Sequence, residues 1–82
     1  MTEIINKTLN MLETGQKARV IQVKGGGSSR KRLLDMGMVP GTVLSVSKKA
    51  PLGDTVDFKL KGYNLSLRKK EAEMIIVEQM EG

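Results

Sequence analysis

Apolar and polar positions alternate through much of the second half of this chain. Thr42 to Lys49 puts Leu44 and Val46 on one face and Ser45 and Ser47 on the other. Asp54 to Lys61 sets Val56, Phe58 and Leu60 against Asp57, Lys59 and Lys61, and Tyr63 to Arg68 brings Tyr63, Leu65 and Leu67 together. A period of two predicts half-buried strands. If Lys61-Gly62 is a two-residue hairpin turn, Leu60 faces Tyr63, Phe58 faces Leu65 and Val56 faces Leu67. Every inward residue then meets an inward residue, and a one-residue slip would scramble them all. Lysine is a poor first residue for a primed turn, which leaves a slightly longer loop open.

Other segments fill in the frame. Ala18 to Lys24 is rich in β-branched residues and predicts the first full strand. Met74-Ile75-Ile76-Val77, apolar on both faces, predicts a covered closing strand, preceded by a single helical turn over Arg68 to Glu73. Residues 1 to 14 follow neither period. They predict a loosely ordered start, with Leu9 and Leu12 packed on the rest before a turn at Thr14-Gly15. Ala50-Pro51-Leu52-Gly53-Asp54 carries a turn signal.

One stretch departs from this strand grammar. Gly25-Gly26-Gly27-Ser28-Ser29 is too glycine-rich for a strand and predicts a loop. Ser28 or Ser29 then caps a short helix, which stops at Gly37, with Pro40 preventing its resumption. Arg30, Lys31 and Arg32 fall in its first turn, where the helix dipole disfavours cations. Leu33, Leu34 and Met36 must cover something apolar, and Met38 and Val39 follow in a turn that is usually polar. A basic collar beside apolar residues on a small protruding element reads as a contact surface. The competing reading has Leu33, Leu34 and Val39 plugging one end of the barrel and the arginines solvated.

The whole pattern predicts a mainly β, SH3-like, five-stranded barrel with a helical insertion between its first two strands, one domain over residues 1–82. A chain of 82 residues is close to the lower limit for a self-sufficient core. It has no cysteine and no histidine, which removes disulfides, thiolates, the commonest general base and the commonest transition-metal ligand. No apolar run approaches the roughly 20 residues needed to span a bilayer, and no signal segment precedes the strands. A cytoplasmic location is expected. The net charge of +5 suits an anionic partner. Phe58 and Tyr63 are the only aromatic residues, and both are expected in the core, so neither a base-stacking platform nor a proline-peptide groove is expected.

Candidate chemistry is thin. Gly25 to Lys31 lacks the glycine before lysine and the hydroxyl residue after it that a phosphate loop needs. Asp54, Asp57, Glu71 and Glu73 lack the spacing of a calcium loop. No metal, no cofactor and no catalytic residue is expected; the chain reads as a binding module. A stripe of Lys48, Lys49, Lys59, Lys61, Arg68, Lys69 and Lys70 would give salt-sensitive, nonspecific nucleic-acid binding. A protein partner would be met by the helical element.

Four ordered segments carry a resemblance. Leu9-x-x-Leu12-x-x-Gly15, then Arg32-Leu33-Leu34-Asp35-Met36-Gly37-Met38-Val39-Pro40-Gly41-Thr42, Ala50-Pro51-Leu52-Gly53-Asp54, and Leu65-x-Leu67-Arg68-Lys69-x-Glu71-Ala72 resemble the FeoA family of bacterial ferrous iron transport. A similar module ends the DtxR-type metal-dependent repressors. The resemblance implies an SH3-like barrel. It also implies a regulatory or assembly role on the membrane transporter FeoB, which carries a cytosolic GTPase domain, with membrane contact only through that transporter. It sharpens the reading of the insertion as the docking element, with Arg30, Arg32, Leu33, Met36 and Met38 as the expected contacts. Descriptions of the family sometimes include transition-metal binding, which a chain without histidine or cysteine supports little. An exposed Met36–Met38 patch or barrel edge would also allow weak self-association. The nucleic-acid-binding barrel stands as the alternative function.

Overall fold

The computed structural model describes residues 6–49 and 53–80. Six antiparallel strands form one sheet: β1 (Asn6–Thr8), β2 (Lys17–Val23), β3 (Val43–Lys49), β4 (Thr55–Leu60), β5 (Tyr63–Arg68) and β6 (Ile75–Met80), in the spatial order β1-β6-β2-β3-β4-β5. A nine-residue helix α1 (Gly27–Asp35) lies between β2 and β3, and a single helical turn α2 (Lys69–Ala72) between β5 and β6. All five expected strands are present, as β2 to β6, and β1 is an addition. β1 has no apolar alternation of its own and exists by pairing Asn6, Lys7 and Thr8 with Glu78, Val77 and Ile76 of β6. The expected turn residues Ala50, Pro51 and Leu52, like Ile4 and Ile5, lie outside the described residues.

The β4–β5 register is the expected one, with Leu60 opposite Tyr63, Phe58 opposite Leu65 and Val56 opposite Leu67, across a two-residue turn at Lys61-Gly62. Two irregularities bend the sheet so that one face wraps a single core. Pairing shifts between Val20 and Gln22 on β2 and between Val46 and Lys48 on β3. Such bulges add local bend and twist. The β2 shift leaves Ile21 and Gln22 both exposed before Val23 turns inward again.

Phe58 lies at the centre of that core, with Leu44, Val46, Val56, Leu67, Ile75 and Val77 from the strands. Leu9, in a 3₁₀ turn (Leu9–Met11), and Leu12 close one side, as the sequence led us to expect. α2 is tied to the turn before β4 by the Lys69 N–H donating to the Asp54 carbonyl at 2.6 Å. Glu71 caps α2, its carboxylate accepting from the Arg68 N–H at 3.0 Å.

Candidate docking surface

α1 starts earlier than expected. Gly26, in extended conformation, is its N-cap, and no side chain caps it; Ser28 and Ser29 are already inside the first turn. This shift moves the arginines along the helix axis. Arg30 and Lys31 sit mid-helix, and Arg32 is in the last turn, where the dipole favours a cation. The expected conflict between collar and dipole is therefore absent.

The helix ends in a Schellman motif. The Met38 N–H donates to the Leu33 carbonyl and the Gly37 N–H to the Leu34 carbonyl, each at 3.0 Å, with Gly37 at φ +103°. That motif brings the residue after the glycine back against the last helical turn, and here those residues are Met38 and Leu33. Both are fully buried, at 0% exposure. Their expected place on a contact surface is thus corrected: in this fold they are core, because the helix terminator folds Met38 inward. Val39-Pro40-Gly41-Thr42 then turns the chain into β3, the Thr42 N–H donating to the Val39 carbonyl at 3.0 Å with φ +96° at Gly41. The turn is clamped to β2 by two bonds of 2.8 Å, Gly41 N–H to the Val20 carbonyl and Val20 N–H to the Thr42 carbonyl.

The other expected contact residues remain on the surface. Arg30 and Arg32 are exposed, and each has an intramolecular partner: Arg30 Nε–H donates to the Val23 carbonyl at 3.2 Å, and Arg32 Nη1 lies 3.5 Å from Glu71 Oε2. An exposed pair of this kind contributes about 0–1 kcal/mol, so it orients the guanidinium without removing it from use. Met36 is half-buried against the core. Val39, on the turn, is 43% exposed.

Tyr63 belongs with them, although the alternation of β5 assigned it inward. It is 47% exposed, and its hydroxyl donates to the Met36 carbonyl at 3.1 Å. α1 is therefore fastened to α2 by Arg32–Glu71 in its last turn and to the start of β5 by Tyr63 just past its end. A strand-terminal tyrosine with a polar tip was the only sequence signal for this role.

The lysines weighed as a stripe are spread along the length of β4, with Asp57 between them. Lys48 and Lys49 pair with Asp57 and Val56, and Arg68 pairs with Thr55, so these and α2 occupy one end of β4. Lys59 and Lys61 occupy the other end, beside Lys17. The four acidic residues weighed for a cation do not converge. Asp57 accepts from the Ser66 hydroxyl, Glu71 serves Arg32 and Arg68, and no three metal-ligating side chains cluster among the described residues. No helix among those residues is long and apolar enough to cross a membrane.

A coiled antiparallel sheet of this size, with a terminated helix inserted before its third strand, defines a small SH3-like domain. The chain belongs to the FeoA domain family, whose model matches residues 7–79. It is 44% identical over 70 residues to a fusion of Fe(2+) transport protein A with the Fe(2+) transporter FeoB from Porphyromonas gingivalis; the match covers 85% of this chain but 8% of that much longer protein. The solution structure of a FeoA-like protein from Clostridium acetobutylicum is similar over 100% of this chain and 93% of that one, at 40% identity and a TM-score of 0.86. A Stenotrophomonas maltophilia FeoA complexed with zinc, described as a procaryotic SH3 domain protein, matches at 25% identity and a TM-score of 0.77, over 88% of this chain and 89% of that one. The residues present here do not fit a zinc site, since histidine and cysteine are absent and no acidic cluster replaces them among the described residues.

Proposed function

We propose that this chain is a non-catalytic, cytoplasmic accessory protein of bacterial ferrous iron uptake, which docks on a FeoB-type GTPase iron transporter and regulates or assembles it. The observation that carries this reading is the natural fusion, in which a segment 44% identical to this chain shares one polypeptide with FeoB. Covalent linkage raises the effective concentration of two modules toward roughly millimolar, which suits modules that act on one another.

The docking surface is the outer side of α1 and its turn: Arg30, Arg32, Met36 and Val39, with Leu33 and Met38 holding the element from beneath. The arginines steer encounter, and covering Met36 and Val39 supplies apolar burial of about 1.5–3 kcal/mol each at most. The test is a binding titration against the transporter's GTPase domain and against the full-length transporter, near physiological salt. Met36→Glu is expected to weaken binding roughly tenfold or more while circular dichroism stays unchanged. Undiminished binding by that folded variant overturns the α1 site. Binding of nucleic acid but of neither transporter form overturns the docking function itself.

A further inference from the structure

Away from α1, the outer face of β2, β3 and β4 holds a groove of about 470 Å³ lined by Lys17, Lys59 and Lys61 around Val43, Ser45 and Leu60. The strand register explains how it forms. Lys17 is opposite Ser45, and Ser45 is opposite Lys59, so the two lysines flank a small residue across three strands. That places them about 10 Å apart, two inter-strand spacings, with a serine too short to fill the gap. Lys61 follows in the turn that ends β4 and lines the same groove. Val43, 42% exposed, supplies the aliphatic floor, while Leu60 turns inward to the core.

Charge in this groove is unbalanced. Among the described residues no acidic side chain lines it and none of its three lysines enters an ion pair, whereas Arg19, Arg32 and Lys49 each have a carboxylate partner. The two aromatic residues lie elsewhere, Phe58 in the core and Tyr63 against α1, so a base has nothing to stack on. An aliphatic floor between ammonium groups fits a ligand that is anionic and apolar together.

The geometry points to a second binding site, independent of the transporter-docking surface, in which Lys17, Lys59 and Lys61 hold an extended acidic peptide segment that lays an aliphatic side chain on Val43. Alternate side chains of an extended chain point the same way about every 7 Å, so a segment with acidic residues at alternate positions presents a row of carboxylates to the lysines.

The test is an NMR titration of the whole ¹⁵N-labelled chain with a capped peptide alternating Glu and Leu. The same peptide with Ser in place of Leu, and an oligothymidylate of equal charge, serve as competing probes. Saturable shifts at Lys17, Val43, Lys59 and Lys61 are expected. Lys17→Glu combined with Lys59→Glu should weaken the Leu-bearing peptide roughly tenfold or more, both residues being exposed and free to change without disturbing the core. Val43→Ser, which leaves every charge in place, should weaken that peptide and not the oligothymidylate. Met36→Glu should leave all of this unchanged, which separates the groove from the α1 site. The proposal is overturned by equal or tighter binding of the Ser peptide or the oligothymidylate, by shifts centred on α1, by indifference to Val43→Ser, or by failure to saturate.

Discussion

Gly37 answers to two demands at once. Its φ of +103° is the left-handed conformation that ends α1, and a Cβ built on it would collide with the Tyr63 hydroxyl. Gly37→Ala is therefore expected to cost about 1–3 kcal/mol from backbone strain, with the collision added. Tyr63→Phe alone should cost about 0.5–1.5 kcal/mol, through the lost bond to the Met36 carbonyl. The double variant should lose less than the sum, because removing the hydroxyl also makes room for the new methyl. Strict additivity in chemical denaturation would show that Tyr63 does not pack over Gly37. The first demand was legible in the sequence, since a glycine after a short amphipathic run before Pro40 is a helix stop. The second was not, because Tyr63 is 26 positions away and its approach depends on where β5 lies relative to α1.

α1 shows how an element can be right in kind and misread in its faces. Nine residues are too few for a helix to persist alone, so burial must hold it. Two fully buried side chains do this, Leu33 from its last turn and Met38 from beyond its end. Met38→Ala is expected to cost about 2–5 kcal/mol and to accelerate amide exchange through α1, whereas Val39→Ala should change stability by about 0.5 kcal/mol or less. A Met38→Ala cost as small as that of Val39→Ala would contradict the burial. The terminator carried the signal that separates these neighbours, since an apolar contact between the last turn and the second residue past the helix accompanies the Schellman motif. β1 carried no such signal: three residues, Asn-Lys-Thr, form a strand because β6 offers an edge.

Six strands, two bulges and a helix fastened beside β5 bury one face of the whole sheet around a single core, and this predicts a cooperative molecule. Tyr63 is its only tyrosine and there is no tryptophan, so intrinsic fluorescence reports the α1–β5 junction alone. Its unfolding transition in urea should coincide with that of far-ultraviolet circular dichroism. An earlier fluorescence transition would show α1 detaching as a separate unit.

By itself the sequence determined five strands, the β4–β5 register, the helix stop and the family, because each is written in local periodicity, turn chemistry or an ordered motif. Tertiary structure alone decided which apolar residues face out. Ile21 is turned outward by a bulge, Met38 inward by a helix terminator, and Tyr63 sideways by the helix beside it. Tertiary structure also divided the lysines, sending Lys59 and Lys61 to join Lys17 at one end of β4 and Lys48, Lys49 and Arg68 to the other. The physical reason is common to all of these. Periodicity specifies a side chain relative to its own element, and only the packing of elements on one another specifies what lies across from it.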